Sequence, residues 1–131
     1  MPDDKKENNK KVLVVEDDLL MANIVANKLK LKGYNVATVG DGQAAVDVLG
    51  VEPYDCVLLD LTMPWFDGFH VLSELKKNNF KAPIIIMSNL AGTDDINKAK
   101  SLGAVNYLVK TSVTPEEIVK EVENCIKQYG S

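Results

Sequence analysis

Two cysteines, one histidine and one tryptophan are all the sequence contains of those residues, and aromatics make up only 6% of it. Cys56 and Cys125 have neither C-x-x-C nor metal-ligand spacing, so they read as core thiols in a reducing compartment. Basic excess is missing too: 15 Lys and Arg stand against 19 Asp and Glu, a net charge of −4. That balance argues against direct nucleic-acid binding, which leaves a basic footprint. No apolar run approaches the ~20 residues of a helical membrane span. The first eleven residues carry charge and no apolar core, which excludes a signal peptide. Residues 1–10 read as a disordered leader outside the fold, and 11–129 as one domain. Of the 131 residues, 46% are hydrophobic, enough to build a real core.

From Lys11 onward, short apolar runs alternate with helical patterns. Val12–Val15 is a predicted strand, ended by Glu16, Asp17 and Asp18. A helix to about Lys32 follows, with Leu20, Ile24 and Leu31, and neighbours Val25 and Ala26, at helical spacing. Asp17 or Asp18 can cap it, and Gly33 stops it. Tyr34–Val39 is the second strand and Asp41 caps the short helix after it. The unbroken run Cys56–Leu59 predicts a strand covered on both faces, closing on Asp60. Pro64 and Gly68 punctuate the loop before a helix from Phe69 to Asn78, with Phe69, Leu72 and Leu75 on one face. Ile84–Met87 is the fourth strand, ending at Ser88 and Asn89. A polar helix over Thr93–Leu102 stops at Gly103. Val105–Val109 is the fifth strand and ends at Lys110. Thr114, Pro115 and Glu117 form a capping box for the last helix, whose buried stripe is Ile118, Val119, Val122 and Ile126. Such alternation predicts an α/β fold, a doubly wound five-stranded parallel sheet with five helices covering both faces.

In a sheet of this kind, ligands bind outside the carboxyl ends of the strands. Those ends carry Glu16 and Asp17, Asp60, Ser88 and Lys110, while Val39 and Gly40 end an edge strand without chemistry. Asp18, Asp41 and Asp67 are accounted for as caps and loop residues. Asp60 and Lys110, each directly after an apolar strand, are not. Two carboxylates ~4 Å apart repel by ~4 kcal/mol at an effective dielectric near 20. One lysine cannot balance Glu16, Asp17 and Asp60, so the cluster must retain a proton or bind a cation. All-oxygen ligands favour a hard divalent ion, most simply Mg²⁺, with Mn²⁺ as a substitute. His70 reads as a surface residue. A carboxylate, a metal, a lysine and a serine together form a phosphoryl-acceptor site, with Asp60 as nucleophile.

The segments Val14–Asp17, Asp60–Gly68, Ser88 and Tyr107–Lys110 resemble the receiver domains of two-component response regulators. The resemblance covers residues 11 to about 128. It implies a flavodoxin-like sheet in strand order 2-1-3-4-5, with Asp60 as the phosphorylation site. It also implies that Glu16 and Asp17 are the acidic pair, Asp17 the more direct metal ligand. By the same resemblance the backbone carbonyl of Thr62 would complete the metal's protein ligands. On the same resemblance Ser88 would bond the phosphoryl oxygen, Lys110 would pair with it, and Tyr107 would be the aromatic switch residue that follows Ser88 inward. The implied partners are a sensor histidine kinase or histidine phosphotransfer protein, and a downstream protein at the face of the fourth helix, fifth strand and last helix. The expected protein is a cytoplasmic monomer, with phosphorylation-dependent dimerisation open to it. It catalyses only its own phosphoryl transfer and dephosphorylation. The chain as given shows no effector domain, so it reads as a stand-alone or excised receiver.

Two positions depart from the family pattern. Thr111 follows Lys110, where proline is usual, and Asn89 follows Ser88, where a small residue is usual. Rival readings fit less well. A flavin carrier on the same fold needs a hydroxyl- or glycine-rich phosphate loop after the first strand, where Glu16, Asp17 and Asp18 would repel the phosphate. A haloacid-dehalogenase-type phosphatase usually has a second Asp where this chain has Thr62. A folded but unphosphorylated receiver would not need the full acid–serine–lysine set.

Overall fold

A computed structural model describes residues 9–62 and 68–129. Most of the leader and the loop residues Met63, Pro64, Trp65 and Asp67 therefore lie outside the described residues. Five parallel strands form one sheet in the order β2-β1-β3-β4-β5. They are β1 (Lys11–Val15), β2 (Asn35–Val39), β3 (Cys56–Asp60), β4 (Ile84–Ser88) and β5 (Asn106–Val109). The helices between and after them are α1 (Leu19–Leu31), α2 (Gly42–Leu49), α3 (Gly68–Lys77), α4 (Thr93–Ser101) and α5 (Pro115–Tyr129).

The apolar runs become strands because both their faces are covered. Every residue of β3 and β4 is buried, whereas the edge strands β2 and β5 are partly exposed. Side chains alternate across the pleat. Leu13, Val15, Val57, Leu59, Ile84 and Ile86 pack with residues of α2, α3 and α4. Val12, Val14, Cys56, Leu58, Ile85 and Met87 pack with α1 and α5. Parallel register sets Val15 beside Leu59 and Asp60 beside Met87, so the carboxyl ends share one edge.

Local signals terminate the helices as expected. Asp18, rather than Asp17, caps α1 by accepting from the amides of Leu20 and Met21. Asp41 accepts from Ala44 at the start of α2. Thr114 and Glu117 exchange two hydrogen bonds in the capping box of α5. Gly33 and Gly103 take φ of 96° and 110°, a left-handed conformation suited to glycine after a helix. β2 starts one residue later than predicted, because the Tyr34 amide donates to the Leu29 carbonyl and closes α1.

The apolar stripe expected for α1 is corrected in part: Val25 and Ala26 are buried, but its other members are not. Leu20 and Leu31 are 71% and 68% exposed and Ile24 also faces outward, whereas Ala22, Val25, Ala26 and Leu29 are buried. α1 carries two apolar stripes, and helical spacing alone does not say which meets the sheet. The buried stripe includes two alanines, which let α1 approach β1 and α5 closely. We expect Leu29→Ala to cost ~2–5 kcal/mol. Leu20→Ala and Leu31→Ala should stay within ~0.5 kcal/mol. Urea unfolding of the three variants checks this, and the opposite ranking would reverse the orientation of α1.

Candidate functional site

The strand alternation continues one step past the sheet and sorts the polar residues. Glu16, Asp60 and Lys110 keep the parity of Val14, Leu58 and Leu108, all on the α1 and α5 side. Ser88 keeps the parity of Ile86, on the opposite side. This parity brings the first three together. Lys110 Nζ lies 2.6 Å from Glu16 Oε1 and 3.1 Å from Asp60 Oδ2. Asp17 is exposed beside them, and one oxygen from each of Glu16, Asp17 and Asp60 falls within 4.8 Å of the others.

Asp60 is 1% exposed, and its two oxygens have different neighbours. Oδ1 accepts from the amide and the hydroxyl of Thr62, both at 2.9 Å. Oδ2 accepts from Lys110. Gly68 returns to the end of β3: its amide donates to the Leu61 carbonyl. A Cβ at Gly68 would lie 2.6 Å from Leu61 Cα and 3.0 Å from the Asp60 carbonyl oxygen, so only glycine lets α3 start this close to the site.

Glu16 is equally buried. Its Oε2 accepts from the Asp18 amide. The Lys110 contact at Oε1 is an ion pair without hydrogen-bond alignment, so Oε1 keeps unmet acceptor capacity. Burial pushes the Glu16 carboxyl up from 4.5 to about 7; Lys110 and the Asp18 amide pull it down, and Asp60 adds to the rise. Burial also pulls the Lys110 ammonium down, but the flanking Glu16 and Asp60 outweigh it, and the net shift is upward. Three carboxylates against one ammonium leave an excess of two negative charges when all are ionised. A buried oxygen with capacity to spare, in an all-oxygen donor set, fits a hard divalent cation.

Ser88 and Tyr107 both meet the backbone of Leu90 rather than Asp60. Ser88 Oγ, fully buried, accepts from the Leu90 amide at 3.0 Å. The Tyr107 hydroxyl donates to the Leu90 carbonyl at 2.7 Å. One peptide segment after β4 is thus held by both residues. Sequence reasoning missed Leu90 because its backbone does the work and its side chain gives no signal. The Thr62 hydroxyl was missed because only the Thr62 carbonyl had been considered. Lys110–Ser112 forms a short 3-10 turn, and the described peptide bonds, that before Thr111 included, are trans. Asn89 and His70 are exposed. A cleft of about 590 Å³ lies at the amino ends of β3 and β4, lined in part by Leu49, Tyr54, Asn79 and Phe80, and takes no residue from the acidic cluster.

Sheet order and site together define a doubly wound, flavodoxin-like α/β protein with a carboxylate–lysine cluster at the strands' carboxyl edge. Residues 12–123 match the response regulator receiver domain, and the chain belongs to that family. It is 34% identical, over 92% of its length and 50% of the relative's, to a probable transcriptional regulator, ycf27, of Cyanophora paradoxa. It is 36% identical to the cell cycle response regulator CtrA of Brucella ovis, over 76% of this chain and 43% of that protein. The chain thus spans about half the length of these relatives. The receiver domain of Francisella response regulator 1452 superposes with a TM-score of 0.85 at 31% identity, covering 92% of this chain and 98% of that one. The receiver domain of the putative response regulator NarL of Mycobacterium tuberculosis gives 0.83 at 30%, covering 92% and 98%.

The raised Glu16 carboxyl predicts a pH profile for metal-free protein. Its folded value exceeds its ordinary one, so its contribution to stability is complete below pH 4.5 and is lost as pH rises through about 7. Urea midpoints measured in chelator should show wild type losing ground to Glu16→Gln across that window. A difference that is flat, or that grows in wild type's favour, would show that burial does not hold the proton on Glu16.

Proposed function

We propose that this receiver domain works as a phosphoacceptor switch in a two-component or phosphorelay system, with Asp60 as the acceptor. The observation that carries the reading is the burial of Asp60 at the end of β3, flanked by two further acids and by Lys110. Membership of the receiver family supports it.

The donor is a phosphohistidine on a sensor histidine kinase or a histidine phosphotransfer protein. An Asp60 oxygen attacks phosphorus, the N–P bond breaks as the O–P bond forms, and the imidazole nitrogen takes a proton from solvent. Glu16, Asp17, Asp60 and the Thr62 carbonyl would hold Mg²⁺, or Mn²⁺ in its place. When bound, the ion supplies charge neutralisation for the transferred oxygens. Lys110, bonded to Asp60 Oδ2, supplies a second positive charge. Thr62 holds Asp60 Oδ1 and thereby orients the carboxylate.

Ser88 then exchanges its bond to the Leu90 amide for one to a phosphoryl oxygen. Tyr107, bonded to the same segment, repacks with it. The change reaches the face of α4, β5 and α5, where a downstream protein reads it. The unmodified chain samples that arrangement as a minor state. Hydrolysis of the acyl phosphate resets the switch, and the chain acts on no other substrate. We place the protein in the cytoplasm as a monomer that can dimerise when phosphorylated, with no direct contact to nucleic acid or membrane.

A small-molecule phosphodonor with Mg²⁺ should add one phosphoryl group to wild type and none to Asp60→Asn, read by intact mass. Trp65, the single tryptophan, should change fluorescence with Mg²⁺ and again with beryllofluoride. Mg²⁺ at a hundred times its dissociation constant should raise stability by ~2.7 kcal/mol. Labelling that persists in Asp60→Asn, or no response to Mg²⁺ by either readout, would sink the assignment.

Asn89 is exposed next to Ser88, and we propose that its amide restricts access to the phosphoryl group. Asn89→Ala should speed phosphotransfer or dephosphorylation a few-fold in a single-turnover assay; unchanged rates for both would remove it from the mechanism.

A further inference from the structure

Cys56 and Cys125 are separated by 69 residues, yet their sulfurs lie 3.9 Å apart. Cys56 opens β3, the strand that ends on Asp60, and Cys125 lies in the second half of α5. Both are free thiols in the core between the sheet and α5, 0% and 6% exposed respectively. Neither has a part in the acidic cluster.

We infer that this pair is a redox-modification site, an oxidisable dithiol at which peroxide closes a disulfide between β3 and α5. A disulfide needs sulfurs at about 2.05 Å, so the two must approach by roughly 1.9 Å in all. Closing that gap takes rotation about the two Cα–Cβ bonds and a shift of α5 toward β3.

The two thiols are unequal. Cys56 donates its S–H to Cys125, which lowers the Cys125 thiol against the opposing effects of burial and Glu121. The same bond, and then burial, push the Cys56 thiol up. Cys125 is also the more accessible and is therefore the attacking sulfur. Its thiolate displaces hydroxide from hydrogen peroxide and becomes a sulfenic acid. The Cys56 sulfur then attacks the oxidised sulfur, and water leaves. Two thiols and one peroxide give one disulfide and two waters.

The closed bond ties the helix that flanks the output face to the strand that carries Asp60. Its effect on signalling rests on the proposed function; its formation does not. The bond should form equally in Asp60→Asn, so a failure of the dithiol is distinguishable from a failure of the phosphoacceptor reading.

The test exposes reduced, folded wild type and Asp60→Asn to hydrogen peroxide. Thiols are then counted after denaturation, and peptides are mapped without reduction. Both thiols should disappear together, and a peptide linking Cys56 to Cys125 should appear in monomeric protein. The melting temperature should rise, amide exchange in α5 should slow, and dithiothreitol should reverse all of these. In Cys125→Ala, checked for folding by circular dichroism, Cys56 should stay a thiol under the same treatment. Three results would overturn the inference: Cys125 advancing to sulfinic acid beside an intact Cys56 thiol, survival of both thiols, or cross-links only between chains.

Discussion

Placing a carboxylate at the buried end of a central strand imposes a cost that only long-range partners can relieve. Asp60 is shielded from water, and each of its oxygens is met: Oδ1 by Thr62 and Oδ2 by Lys110. Lys110 must in turn reach over from the end of β5 to Asp60, and it also meets Glu16 at the end of β1. An unpaired charge here would be expensive. The site therefore constrains the topology as much as the topology serves the site. β1, β3 and β5 must all present their carboxyl ends on one edge, with the parity that turns these side chains to the same face.

The parity also separates two tasks. Glu16, Asp60 and Lys110 stand on the α1 and α5 side, where charge is handled. Ser88 is turned the other way, toward the loop after β4, and there shares Leu90 with Tyr107. The acidic cluster and the Ser88–Leu90–Tyr107 contacts are thus adjacent but distinct, joined by the fourth strand. α4, with Ala99 its one buried residue, is lightly held beside that loop. A helix with so little apolar burial has little to resist displacement.

Much of the fold was legible in sequence because its signals are local. The apolar run into Asp60, the Thr114–Glu117 capping box and the glycines after α1 and α4 each act within a few residues. The four polar strand ends pointed to the site for the same reason, since parallel topology gathers carboxyl ends wherever the chain alternates strand and helix. α1 was misread. Its two apolar stripes have equal periodicity, and the choice between them rests on how closely the helix backbone can pack on the sheet. Cys56 and Cys125 read as ordinary core thiols, since nothing in either segment announces the other.

The sequence by itself determined the alternation of elements, the residues at each strand end and the excess of acid over base that asks for a cation. Those properties follow from composition, periodicity and capping, which neighbouring residues set. Tertiary structure alone decided which face of α1 is buried, that Ser88 and Tyr107 meet at Leu90, and that two sulfurs 69 residues apart come within 3.9 Å. Each of these depends on the register and packing distance between separate elements, and no short stretch of chain encodes them.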